Sequence, residues 1–548
     1  MDARDSSLKT ADPIDQCMAG YERELSCGHP DAAKQALLAA LAERPEQDWL
    51  QCVRALVLHS HPGMAGTLLA AALKLYPDSV DLRFALAGLQ QQGNQLVQAE
   101  ASLREVLADQ PDHVAATFLL AHVLEQQGRL QATAAAVHAL FAYAPQDMAT
   151  VIQAVELLDR CGRKQDAAAI CEAEIAAGST DARIHAYAGM LEIQLGEFDR
   201  ARRNYSIALA NSPQAIEWNI PLGLSRLQRY RDNSHPDFHL FRACLENPLL
   251  SEKVRATILF ALGKAHDDIG DYAQATRYLR QANTMAHAAT AWSRKHWRRA
   301  TEARIARPPF SVALPAPGDW SPVFVVGVMR SGTTLVAELL SRHPDVCNRG
   351  ELSCLPVLAQ KLSGIPQGRI DAFAQASATY ERQLRQDDSD AHWFIDKHPM
   401  NLMHIDLIMA LWPNARIIHC RRNPRDIALS LWSQSFLDDA QGYAYDFTDI
   451  ATVIKDCERV MAHWHKRHAQ AIHTVSYEKL TADPAACMAE LADWLGLPPC
   501  DLLSARSKST MISTASLWQA RQPVYTGSVE RWRHYAPYLP ELLRIPAN

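Results

Sequence analysis

Two series of markers repeat along the first 300 residues at nearly one period. Pro45, Pro77, Pro111, Pro145, Ser179 and Pro213 are separated by 32, 34, 34, 34 and 34 residues, and Gly93, Gly128, Gly162 and Gly196 by 35, 34 and 34. Proline stops a helix because it has no amide proton to give, and glycine supplies the turn that follows one. A fixed period of this length predicts one helical unit stacked on copies of itself, since no unit can bury its apolar face alone. The pattern predicts an all-α solenoid with a concave groove over residues 1–306.

The stretch "AYAGMLEIQLGEFDRARRNYSIALANSP" displays the unit: Gly189, Gly196, Ala201, Tyr205, Ala208 and Pro213 fall where close-packed helices need small residues, an aromatic filler and a stop. It resembles a tetratricopeptide repeat. "FALGKAHDDIGDYAQATRYLRQA" repeats the pattern with Gly263, Gly270, Ala275 and Ala282, after a degenerate interval around 215–252. Two uses fit such an array. It can be a scaffold or dimerisation arm, giving a homo-oligomer, or its groove can present a peptide or protein, including an acceptor, to the rest of the chain.

"RPPFSVALPAPGDWSP", residues 307–322, holds five prolines and ends the helical repetition. Beyond it, β-branched runs alternate with amphipathic helices: 323–328 and then a helix from Thr333, "HWFID" near 393, "ARIIHC" at 415–420 followed by a helix through Ser430, and "IHTVSY" followed by a helix after Pro484. This alternation predicts a largely parallel sheet covered on both faces. The expected organisation is an α/β class chain: an all-α solenoid over 1–306, a Pro-rich linker over 307–322, and an α/β domain with a P-loop-like start over 323–548.

That start, "VFVVGVMRSGTTLV", sets Gly327 and Gly332 in the G-x-x-x-x-G frame of a phosphate loop, but Thr333 stands where ATP and GTP enzymes place lysine. Strand, glycine turn and helix N-terminus together direct amides and the positive helix end at one point, an anion site. Without the lysine that reaches the β/γ-phosphates, triphosphate chemistry is disfavoured. The nearest cation is Arg330, inside the loop.

"VGVMRSGTTLVAELLSRHPDV" resembles the phosphosulfate loop of sulfotransferases, especially the tyrosylprotein and bacterial repeat-fused types, whose donor is 3′-phosphoadenosine 5′-phosphosulfate (PAPS). The resemblance continues through "ARIIHCRRNPRDIALSLW", "VSYEKL" and "VYTGSVERW", four motifs in order over residues 323–532. It implies that Arg330, Ser331, Gly332, Thr333 and Thr334 hold the phosphosulfate, Arg422 and Ser430 the 3′-phosphate, and Tyr477 the adenine side, with Thr526, Gly527 and Ser528 in a segment closing over the donor. Arg330 can bind phosphate and sulfate oxygens through its planar fork without a metal.

Transfer to a hydroxyl also needs a base and a cation at the leaving oxygen. The same resemblance implies Glu351, in "NRGELS", as the base and Lys397, in "FIDKHP", at the leaving group. Gly350 stands where the tyrosylprotein enzymes commonly have a second acid. His398 is the competing base, because small-molecule sulfotransferases use a histidine shortly after their corresponding lysine.

A formal charge of −6 over 548 residues gives no reason to expect nucleic acid or membrane as the main partner. Twelve cysteines lack zinc spacing, and His463, His465 and His468 fall at mixed helical spacings, so no metal is expected. Reduced thiols and a polar start, "MDARDSSLKTADPIDQ", lead us to expect a cytoplasmic protein. The function expected is sulfuryl transfer from PAPS to an acceptor hydroxyl, on a protein tyrosine or a carbohydrate. A divergent P-loop kinase or NTPase, and an inactive repeat-based interaction scaffold, are the alternatives.

Overall fold

The computed structural model describes residues 13–142, 146–310, 312, 314–366, 369–436, 439–504 and 526–547. The marker Pro145 and the first twelve residues lie outside these. The chain falls into two compact units, Met1–Ala154 and Val155–Asn548.

Among the described residues from Pro13 to Ala306 the regular elements are all helices, and the repeat is written in the backbone more regularly than in the sequence. Ser60, Asn94, Gly128, Gly162 and Gly196 all have positive φ, and each lies 34 residues after the last. The spacing of 35 after Gly93 arises because Asn94, not Gly93, takes the left-handed position. The small residues act as expected. A Cβ at Gly189 would lie 2.6 Å from Cδ1 of Tyr205, and one at Gly223 2.6 Å from Cε2 of the same ring, so Tyr205 is clasped between two glycines. In the degenerate interval the helices Ile220–Arg226 and Pro236–Leu245 are short, each opened by proline in its first turn.

The second unit contains a five-stranded parallel sheet: β1 (Ser321–Gly327), β2 (Val346–Asn348), β3 (Trp393–Asp396), β4 (Arg416–Arg421) and β5 (Ile472–Ser476), in the order β2-β3-β1-β4-β5. In register, Val323 of β1 faces Ile395 of β3 and Val326 faces His419 of β4. Every residue of β1 is buried, as a central parallel strand covered on both faces must be. Val323 and Val325 point to one core with helices Thr333–Leu340 and Pro484–Leu495. Phe324 and Val326 point to the other, beside Tyr380, Trp412 and Trp464.

That second core is continuous with the late repeats: it also contains Tyr205, Phe260 and Leu279. Asn283, on helix Tyr272–Ala289, donates to the Trp432 carbonyl at 2.9 Å, and Arg459 pairs with Glu302 at 2.8 Å. The proline-rich run is laid along the same domain. Leu314 donates its amide to the Ala410 carbonyl at 3.1 Å, and Phe310 packs edge-on against Phe373. Among the described residues no disulfide is formed, and no helix is long and apolar enough to cross a membrane.

Candidate active site

Because all five strands are parallel, their carboxyl ends share one edge of the sheet. The strand order sends connections to opposite sides of β1, the kind of switch point at which open α/β sheets place a ligand crevice. Each candidate residue but those of the closing segment follows one of these ends. The loop 327–334 follows β1, Glu351 follows β2, Lys397 and His398 follow β3, Arg422 and Ser430 follow β4, and Tyr477 follows β5.

Two glycines fix the loop. Gly327 has φ +153° and a Cβ there would lie 2.5 Å from the Cys420 carbonyl oxygen; Gly332 has φ +100° and a Cβ there would lie 2.6 Å from Cδ2 of Tyr477. Between them Arg330 is itself left-handed, φ +73°. A non-glycine residue holds that conformation at a cost of about 1–3 kcal/mol, and only where its surroundings over-determine it. Here Arg330 Nε donates to Ser430 Oγ at 2.8 Å, and Arg422 Nη1 donates to the Arg330 carbonyl at 3.2 Å.

Helix Thr333–Leu340 begins on Gly332, which has no side chain to cap the first-turn amides, so the positive helix end faces the loop. Ser331 is 1 % exposed, and its Oγ has no hydrogen-bond partner; nor does the buried Nε of Arg422. Each of these two buried donors costs about 1–3 kcal/mol if left unmet and could be satisfied by an oxyanion oxygen. These residues fit a phosphate-bearing and sulfate-bearing ligand.

Arg422 joins three elements. Its Nη2 donates to the Ser528 carbonyl at 2.5 Å, and its Cζ sits 4.4 Å from the centroid of the Tyr477 ring, a cation–π contact. Ser528 is buried, whereas Thr526 and Gly527 are exposed, and the Thr526 carbonyl turns back to the Val529 amide at 2.8 Å. Among the described hydrogen bonds, only Ser528 of these three connects to Arg422.

On the other side of β1, the Lys397 amide donates to the Gly350 carbonyl at 2.8 Å, aligning the exits of β2 and β3. Glu351 and Lys397 thereby form an ion pair in which the lysine side chain is 4 % exposed and the glutamate 38 %. Burial pushes the Lys397 pKa down and nearby Arg330 adds to this, against the pull of Glu351 and Asp396. The loop and the Glu351–Lys397 pair therefore share one electrostatic field. His398 follows directly; burial holds its pKa below the ordinary value, and its Nδ1 has no partner.

Two aspartates that sequence reading passed over organise these groups. Asp396, fully buried at the end of β3, accepts from the Tyr380 hydroxyl, from Asn401 Nδ2 at 2.7 Å and from the Leu352 amide at 3.3 Å, so it holds the turn that carries Glu351. Burial pushes its pKa up to about 7 despite those donors. Asp426 accepts from the amides of Glu530 at 2.8 Å and Trp532 at 3.0 Å, anchoring the segment that carries Ser528. An Asp beside Lys or Arg reads as a surface charge; the only sequence signal for Asp396 is its place at the end of an apolar strand. No described group of His, Cys, Asp or Glu could hold a metal, and His465 instead contacts Thr474 at 3.2 Å.

Residues 322–501 match the family model described as sulfotransferase family, and residues 62–123 match that of the tetratricopeptide repeat. An uncharacterized protein of Aquifex aeolicus (strain VF5) is 28% identical over 391 residues, which cover 66% of this chain and 51% of that one. Protein-tyrosine sulfotransferase 1 of Danio rerio is 24% identical over 196 residues, 33% of this chain and 54% of that one. The chain spans about half the length of these curated relatives. Among solved structures, the sulfotransferase domain from the Synechococcus PCC 7002 olefin synthase aligns over 41% of this chain and 91% of its own, with 19% identity and a TM-score of 0.31. The C-terminal part of the chain is thus similar to sulfotransferases over residues 322–501, and its N-terminal part to tetratricopeptide repeats over 62–123.

Proposed function

We propose that this chain transfers a sulfuryl group from PAPS to an acceptor hydroxyl, on a protein tyrosine or a carbohydrate. The match of residues 322–501 to the sulfotransferase family model supports sulfuryl transfer in general. The observation that carries the finer reading is the convergence of Arg330, Ser430 and Arg422 on a loop with an orphaned Ser331 hydroxyl and no lysine at position 333. Such a pocket neutralises phosphate and sulfate oxygens with guanidinium and amide donors, and no magnesium is called for.

In this reading the Glu351 carboxylate takes the proton of the acceptor hydroxyl. The acceptor oxygen forms its bond to sulfur as the bridging S–O bond breaks, and Lys397 Nζ stabilises the electron pair left on that oxygen. The products are a sulfate ester and adenosine 3′,5′-bisphosphate. The Lys397–Glu351 ion pair supports these roles, because it sets acid acceptor and cation side by side at two adjacent strand ends. His398, its pKa lowered by burial and its Nδ1 unpartnered, is the second candidate base. The repeats over 1–306 present the acceptor or a protein partner, 307–322 connects, and 323–548 is catalytic.

Calorimetric titration with adenosine 3′,5′-bisphosphate in EDTA tests the proposal. Binding is expected for the unmodified protein and not for Arg330→Ala. Tight magnesium-dependent ATP binding with indifference to the bisphosphate overturns it.

A further inference from the structure

The segment that carries Ser528 is strung between two supports, and one of them is a repeat helix. On the α/β side, Asp426 accepts from the amides of Glu530 and Trp532, and Arg425 stacks its Cζ 4.6 Å from the centroid of the Trp532 ring. On the repeat side, Asp267 ends helix Glu252–Asp268. One of its carboxylate oxygens accepts from Arg531 Nη2 and the other from the Tyr535 hydroxyl at 2.5 Å. Tyr272, from the next repeat helix, packs against Tyr535 and stacks on His534, both with centroids 5.1 Å apart. Glu530 is left-handed, φ +58°, a strained turn that sends Arg531 toward the repeat while Ser528 stays under Arg422. Burial depresses the Arg531 pKa, but Asp267 and the neighbouring phenols outweigh it, so the net direction is upward.

From this geometry we infer that Asp267 is a positioning residue for the donor site. The last tetratricopeptide repeat holds the segment 528–535 in place, and through the Ser528 carbonyl it orients Arg422 and with it the backbone of Arg330. The inference rests on the proposed donor reading. It gives the repeats a role that scaffolding alone lacks, since a repeat carboxylate sets the shape of the nucleotide pocket. Removing one partner of a part-buried ion pair leaves the other charge uncompensated, so the segment should loosen locally.

The test uses the full chain and adenosine 3′,5′-bisphosphate. Asp267→Asn should raise its dissociation constant about tenfold, toward the low end of coupling between linked sites. It should also speed hydrogen exchange at the Glu530 and Trp532 amides. Asp267→Glu should restore most of the affinity, and Arg531→Lys should lie between. Arg280→Ala breaks the neighbouring pair with Glu541, outside the segment, and should change neither reading. If Asp267→Asn binds as the unmodified protein does, or Arg280→Ala weakens binding equally, the positioning role is wrong and the donor reading stands. If the unmodified protein does not bind the bisphosphate, the donor reading fails and this inference falls with it.

Discussion

Replacing Asp396 by asparagine should abolish a specific pH dependence of stability. The carboxyl is fully buried, and two opposing effects act on it. Three donors, the Tyr380 hydroxyl, Asn401 Nδ2 and the Leu352 amide, favour its charged form, whereas loss of hydration favours the neutral one; burial wins and the pKa is pushed up to about 7. In the unfolded chain the same group titrates near 3.9. Between about pH 4 and pH 7 the native state therefore keeps a proton that the unfolded state has released. Stability from this group is full below about pH 4, falls as pH rises to about 7, and is flat above. The difference between the two pKa values is worth about 4 kcal/mol, an upper bound because water can reach a strained site. Asparagine cannot titrate, so urea unfolding followed by tryptophan fluorescence should show wild type minus variant declining by up to that amount from pH 4 to pH 8. Trp412, 4.9 Å from Tyr380 between ring centroids, places a reporter at the site. Subtraction removes the buried histidines His404 and His419, whose pKa values burial lowers to about 3 and which act in the opposite sense. A difference that stays flat, or rises with pH, would show that the three donors hold the carboxylate ionised and that the burial argument is wrong.

Glu351→Gln should leave bisphosphate binding intact while cutting turnover by about two or more orders of magnitude, measured as labelled sulfate transferred from PAPS to acceptors in a cell extract; retention of wild-type turnover with loss in His398→Ala would move the base to the histidine. Lys397→Ala should lower turnover without abolishing donor binding, since its ammonium faces Glu351 and not Ser430; equal loss of both in the same assays would assign it to the donor pocket. Gly332→Ala forces a Cβ to 2.6 Å from the Tyr477 ring at φ +100°, and calorimetry should register a bisphosphate affinity lower by at least about tenfold from strain of about 1–2 kcal/mol plus displacement of Tyr477. In the repeats, Gly189→Ala drives the new methyl to 2.6 Å from Tyr205 and should lower stability by about 1–3 kcal/mol, and Tyr205→Leu in the same chain should recover part of it, a coupling read by a double-mutant cycle of urea midpoints.

The sequence markers that were legible are those the backbone forces. Gly327 and Gly332 could be read because no side chain fits beside the Cys420 carbonyl or the Tyr477 ring, and Gly128, Gly162 and Gly196 because a left-handed turn recurs there. Where another residue tolerates that turn, as Ser60 and Asn94 do, the repeat continues but its marker vanishes. A parallel sheet makes part of the candidate site legible in a second way: any polar residue just past an apolar run must arrive at the same edge, so Lys397, Arg422 and Tyr477 could be grouped before any geometry was known, whereas Glu351 follows β2, a three-residue strand with no apolar run to announce it. What this rule cannot supply is lateral contact between neighbouring exits. Glu351 meets Lys397, 46 residues away along the chain, where Gly350 turns at φ +68° and its carbonyl takes the Lys397 amide, and both depend on the pairing of two separate strands. The same limit hid Asp267, whose partners Arg531 and Tyr535 lie more than 260 residues away. Local pattern encodes which end of a strand a residue occupies. Pairing across elements is a property of the assembled core, and there the late repeats and the sheet are one body, so a boundary drawn at the prolines divides the sequence without dividing the structure.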